Sequence, residues 1–431
     1  MKKRIALDFV LTWKKIAAAG LGIVVLALAV SFSGMVSIAA SSDHFKPVGW
    51  FLHWTMQNAV ARQSLGTEVP EDVDLSDPAL VQRASGHFAT GCAPCHGAPG
   101  VAQSPVVLSM TPHPPRLEGK VGEWKDRELY WIGLHGIKYS GMPAWPAQDR
   151  DDEVWSVVAF LRVLPGMSAE TYARLALGGT RARVEFEAGT EQTAGLDGVV
   201  EDALADCARC HARDGLGRGE GESAGAFPVI AGQPEPYLFA TLMAFKDGYR
   251  HSGYMQPPAS RYSVDVLRAL AGWYAAQPAG AIAPETPSAI EGPIAPASPL
   301  PSGDGIPPQI FPAANRSAQA YDIELAAGGL PTEGSRGMLQ LGQLIAEKGI
   351  AARKLPACDS CHGAEGRRKN AYFPYLGGQP AWYTKTHLEL WKHGERSGTK
   401  FAHLMDEIAV NLTAEQIDAV AAWYASRPVG E

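Results

Sequence analysis

Hydrophobic and polar positions fall into distinct regimes along the chain. Residues 16–40 (IAAAGLGIVVLALAVSFSGMVSIAA) carry no charge, enough apolar length to cross a bilayer as a tilted helix. Residues 49–60 (GWFLHWTMQNAV) are aromatic and amphipathic. They predict either an interfacial helix, with Trp50 and Trp54 among headgroups, or a docking surface for a membrane partner. Farther on, apolar residues return at three- and four-residue steps in 152–164 (DEVWSVVAFLRVL), 255–278 and 405–428. These are predicted helices, the last two starting at the caps Ser263 and Thr413. No stretch alternates as a strand would, so the expected fold is all-α.

Two of those stretches match without gaps: MQPPASRYSVDVLRALAGWYAAQP (255–278) and MDEIAVNLTAEQIDAVAAWYASRP (405–428). Upstream, FPVIAGQPEPY (227–237) pairs with FPYLGGQPAWY (373–383). The chain therefore holds two copies of one domain and, before them, a more distant cousin. Ten prolines in 278–312 mark an extended linker. The expected organisation is a basic segment 1–15, an anchor 16–40, a juxtamembrane segment 41–77 and domains at 78–177, 198–278 and 316–431. Linkers at 178–197 and 279–315 separate the three domains.

Charge adds direction. The net charge is −7, but five basic residues and one acidic residue lie in the first fifteen positions, leaving 33 basic against 44 acidic. The basic start places the N-terminus in the cytoplasm and everything after the apolar run across the membrane. A cleavable signal peptide is the competing reading, with Ser37-Ile38-Ala39 as cleavage pattern; the length of the run favours a retained anchor. An acidic body excludes nucleic acid as a partner.

The six cysteines form three pairs, each followed by histidine: Cys92-x-x-Cys95-His96, Cys207-x-x-Cys210-His211 and Cys358-x-x-Cys361-His362. Zinc needs about four ligands and each motif has only two cysteines. Cys-x-x-Cys-His is instead the attachment signature of c-type haem, two thiols for the vinyl groups and an imidazole for the iron. Three covalent haems are expected, attached on the periplasmic side.

An iron held by one histidine needs a sixth ligand, and a thioether suits electron transfer by raising the potential. Met142, Met255 and Met405 follow their histidines by 46, 44 and 43 residues, matched separations that suggest one shared job. Met110, Met167, Met243 and Met338 read as core fillers. His135, His251 and His403 are rival ligands near the three methionines, each better explained as a surface group. Pro114-Pro115, Phe227-Pro228 and Phe373-Pro374 offer carbonyls to hold the proximal imidazoles.

With these residues in view the chain resembles class I cytochrome c, three domains in tandem. The second and third copies resemble the halves of diheme tandem cytochromes, through CxxCH, FP-x-x-x-GQ, KxGxR (246–250, 392–396) and the late Met. The whole is similar to triheme cytochrome subunits of membrane-bound dehydrogenases. That resemblance implies an electron carrier between a dehydrogenase and the quinone pool, a soluble cytochrome or an oxidase. No catalytic residues are expected. A multihaem peroxidase with one open iron is the alternative, disfavoured by three matched methionines. A haem sensor would need a signalling domain, for which no chain is left.

Overall fold

The computed structural model describes residues 12–177, 198–279, 333–363 and 370–429. The expected linkers, residue 279 apart, lie outside the described residues, as do 1–11 and the start of the third domain. Among the described residues the regular structure is helical, with isolated antiparallel bridges only. Helices of six or more residues are numbered in chain order.

Helix α1 (Trp13–Phe32) buries none of its residues. It is long and apolar enough to cross a membrane. The expected apolar span, 16–40, is shifted: the helix starts earlier and stops at Phe32. Ser33 Oγ donates back to Val30 O at 2.7 Å, and Gly34 takes a left-handed φ of 69°. Both end a helix by satisfying or redirecting its last turn. Helix α2 (Lys46–Gln63) buries only Val60. Trp50 and Trp54 stack at 6.2 Å on its exposed side.

Three apolar cores follow. The first is built from α3 (Pro78–His87), α4 (Asp126–His135), α5 (Asp151–Val163) and α6 (Ala169–Leu177). Asp77 caps α3, accepting from Ala79 N at 2.8 Å. Helix α5 supplies Val154, Val158 and Phe160 to the centre, and α3 and α4 both pack against it. Gln82 Nε2 and Ser85 Oγ on α3 donate to Leu175 O at 2.9 and 3.0 Å, tying in α6.

The second core uses α7 (Gly198–His211), α8 (Glu235–Lys246), α9 (Gln256–Arg261) and α10 (Val264–Ala276). The third uses α11 (Glu333–Lys348), α12 (Ala381–Lys392), α13 (Ala402–Ala409) and α14 (Ala414–Ala425). In every unit the first helix packs on the last long one: α3 on α5, α7 on α10, α11 on α14. The α11–α14 crossing needs Gly342, where a Cβ would collide with the Ala419 carbonyl and Trp423 Cβ. Buried Leu267, Leu270, Ile345 and Ile417 line these crossings, each contributing about 1.5–3 kcal/mol by leaving water.

Candidate functional site

Each CxxCH motif lies on helical turns. The second closes α7. The third occupies the short helix Asp359–His362 and its cap, and the first the short helix Ala93–His96 and its cap. A separation of three residues puts both thiols on one side of a turn. No cysteine is in a disulfide. Burial pushes the thiols of Cys92, Cys207 and Cys358 up to about 12 and that of Cys210 to about 11.

Two of the three imidazoles are held by the carbonyls that the proline pattern singled out. His96 Nδ1 lies 2.8 Å from Pro115 O, and His362 Nδ1 2.9 Å from Pro374 O. A carbonyl only accepts, so Nδ1 carries the proton and Nε2 is left as the metal-binding nitrogen. The Pro228 carbonyl raises the pKa of His211 in the same sense, although Nδ1 closes no hydrogen bond. Burial outweighs these carbonyls. It lowers His96 and His362 and brings His211 down to about 4, favouring the neutral ring.

A cavity of about 440 Å³ runs between the second and third units and reaches α3 and α5 of the first. Cys207, Cys210, His211 and Met255 line it from one side, and Cys358, Cys361, His362 and Met405 from the other. Fold and sequence spacing therefore bring two of the three expected methionines to their motifs. Their settings differ: Met255 is the N-cap of α9, whereas Met405 lies inside α13. Cys92, Cys95, His96 and Met142 lie outside this cavity. Met142 sits in the loop after α4, its N–H donating to Ser140 Oγ at 3.2 Å. Met110 borders the same loop, its methyl occupying the space where Gly141 would carry a Cβ. The rivals His135, His251 and His403 are all exposed.

The junction between these two units also holds buried cations. Arg250 and Arg396 form an antiparallel bridge and are only 3% and 7% exposed. Arg250 Nη2 donates to Tyr383 OH and to His387 Nε2, both at 3.2 Å. Arginine has no acceptor, so His387 is the neutral tautomer with its proton on Nδ1. That nitrogen and Arg250 Nε are buried without partners. Burial, then Arg250, lowers Arg396 to about 9. Among the described residues neither guanidinium pairs with a carboxylate. Buried cations of this kind need an anionic partner, and Arg250, Arg396 and His387 all line the cavity. The residues present therefore fit haem c: thiols to attach it, imidazole and thioether for the iron, and orphaned donors for its propionates. Sequence reading registered KxGxR as a repeat marker and missed this role. The signal was an arginine recurring at the same place in both copies.

Residues 79–161 match the family described as cytochrome c oxidase, cbb3-type, subunit III. Cytochrome c-554(548) of Halomonas halodenitrificans is 35% identical over 74 residues, 17% of this chain and 88% of that protein. The chain belongs to the class I cytochrome c family. Two longer relatives agree with that placement. The thiosulfate dehydrogenase electron acceptor of Thiomonas intermedia is 29% identical over 226 residues, 52% of this cytochrome and 80% of the relative. Cytochrome c4 of Pseudomonas aeruginosa is 25% identical over 236 residues, 54% and 90% of the two chains. As a c-type cytochrome the chain binds haem covalently and carries electrons.

Proposed function

We propose that this cytochrome is a membrane-anchored, periplasmic carrier of three haems. It would pass electrons from a dehydrogenase toward the quinone pool, a soluble cytochrome or a terminal oxidase. The observation that carries the reading is the cavity into which two CxxCH motifs and two matched methionines open. The first motif repeats the third's imidazole-to-proline hydrogen bond. Cys92 and Cys95, Cys207 and Cys210, and Cys358 and Cys361 attach one haem each, in domains 78–177, 198–278 and 316–431. His96, His211 and His362 are the proximal ligands, and Met142, Met255 and Met405 the distal ones.

The bound haem supplies a one-electron Fe(III)/Fe(II) couple. The chain's own residues do the rest. Proline carbonyls fix the imidazole tautomer, buried walls exclude water, and a thioether favours the reduced iron. The relatives named as acceptors for thiosulfate dehydrogenase support a dehydrogenase as donor. The acidic body would steer toward a basic patch on a partner. Helix α1 serves as the anchor, with α2 and its paired tryptophans at the membrane surface.

Intact mass of the membrane-extracted holoprotein tests this reading. Three haem increments on a chain that keeps its apolar segment are expected. Two increments or fewer, or an N-terminus near Ala40, would overturn the count or the anchor.

A further inference from the structure

The loop that carries Met255 is held by the first unit rather than by its own. Glu153, on α5, is 3% exposed and reaches across the junction. Its Oε1 accepts from Ser252 Oγ at 2.5 Å and its Oε2 from Gly253 N at 2.6 Å. Trp145 Nε1 donates to Oε2 at 3.1 Å, and Arg150 Nη1 lies 3.1 Å from Oε1. Every one of these neighbours is a donor, so both oxygens act as acceptors. Ser252 Oγ in turn accepts from Tyr254 N at 3.2 Å and from Met255 N at 3.1 Å. A continuous chain thus runs from a carboxyl in the first unit to the backbone of Met255 in the second.

The surrounding packing locks the same loop. Tyr254 OH donates to Glu153 O at 2.8 Å, and Arg150 Nη1 donates to His251 O at 3.0 Å. The Trp145 ring covers Gly253 so closely that a Cβ there would fall within it. Among the described residues the third unit has no such tie, and it takes a different shape. The four residues before Met405 (FAHL) run into helix α13, while those before Met255 (HSGY) stay non-helical because their N–H groups and hydroxyl face Glu153 and Ser252.

We propose that Glu153, acting through Ser252, is a positioning residue for the second haem's axial ligand, so that the first unit sets how firmly Met255 holds its iron. This rests on the reading of Met255 as a haem ligand. Removing a hydrogen bond from this chain loosens the hold on Met255, so a competitor should displace it at roughly tenfold lower concentration, a change equal to about 1.4 kcal/mol.

The test uses the full-length holoprotein with Glu153→Gln, Ser252→Ala and Met255→His. The readouts are the Met–Fe(III) absorption band, displacement of methionine by added imidazole, and a redox titration. Ser252→Ala changes no charge and leaves Glu153 paired with Arg150, Gly253 N and Trp145 Nε1, so it keeps the proposal testable if Glu153→Gln folds poorly. Expected in both is one methionine displaced at roughly tenfold lower imidazole. One potential should fall while the others stay. Loss of a negative charge alone would instead raise that potential with displacement unchanged, and that result overturns the proposal. Unchanged displacement in both variants overturns it too, while a shift in Met255→His leaves the ligand reading standing. If Met255→His moves no potential, the ligand reading fails and takes the proposal with it.

Discussion

The two junctions of this cytochrome are built on opposite plans. Between the second and third units the glutamine contacts are exchanged one for one. Gln233 Nε2 donates to Tyr375 O at 3.0 Å and its Oε1 accepts from Tyr375 N at 2.9 Å. Gln379 does the same to Val229, at 2.7 and 3.1 Å. Arg250 faces Arg396 across the same line. Each glutamine closes its own copy of FP-x-x-x-GQ, and each target follows the other copy's Phe-Pro. Between the first and second units no contact among the described residues is exchanged. Glu153, Trp145 and Arg150 come from one side, and Ser252, Gly253 and Tyr254 from the other. A duplicated domain can pair with its copy through whatever motif both retain. A more distant unit has to be joined by residues particular to each face.

The largest effect should come from breaking the exchange. Gln233→Ala with Gln379→Ala leaves a backbone N–H and a carbonyl unpaired on each side, both glutamines being buried. At about 1 kcal/mol per lost hydrogen bond the double variant should lose roughly 4 kcal/mol or more in denaturant unfolding. The two single variants should cost nearly the same. A large inequality between them would show that the exchange is symmetric in geometry and not in energy.

Acid should weaken both junctions, because each buries a neutral histidine. His87 packs 4.7 Å from Trp145 and 5.1 Å from Tyr254, and burial lowers its pKa from 6.5 to about 4. His387 is held well below its usual value by burial, then by Arg396, Arg250 and Arg150. Tyr383 also faces its ring, at 4.3 Å. Both rings gain a proton on unfolding that they lack when folded. Both contributions are therefore intact above about pH 6.5 and decline as pH falls below it; that of His87 is lost as pH falls toward 4. For His87 the loss is at most about 3 kcal/mol. His87→Gln and His387→Gln should each flatten the decline in stability measured by unfolding below about pH 6.5. If only one does, only that junction is acid-sensitive. Position 241, the counterpart of His387 in the second unit, is threonine, so this feature also breaks the exchange.

The sequence was informative where chemistry repeats. Three CxxCH motifs, matched methionines and two terminal stretches that align without gaps made the helical units and many cavity-lining residues visible. Proline carbonyls were anticipated because only an acceptor can fix the imidazole tautomer. The first junction was invisible for a physical reason. Glu153 and Ser252 are 99 residues apart, they follow no period, and a buried carboxyl on an apolar helix looks like any surface acid. Gln233 and Gln379 stood in plain view as motif letters, but reciprocity across units is a property of docking and leaves no local pattern. The end of α1 was missed for a smaller reason: apolarity continues past Phe32, and the Ser33 hydroxyl and the left-handed Gly34 end the helix without a change in hydropathy.

The smallest effect should come from a third tie, linking the segment before α3 directly to the third unit. Lys385 Nζ on α12 lies 3.5 Å from Asp72 Oδ2 and 3.2 Å from Asp418 Oδ1. The Asp72 side chain is 53% exposed, so water and salt screen the pair. Lys385 keeps Asp418 when Asp72 is neutralised, and no charge is stranded. Asp72→Asn should cost under about 0.5 kcal/mol in unfolding, a cost that disappears near 1 M salt, where the screening length is about 3 Å. Near the same place Arg83 of α3 stacks on Trp382 at 3.8 Å, a contact with apolar area behind it. Arg83→Ala should therefore cost more than Asp72→Asn and keep that cost at high salt. The reverse order would mean that the first unit reaches the third through charge, making it sensitive to ionic strength where the glutamine exchange is not.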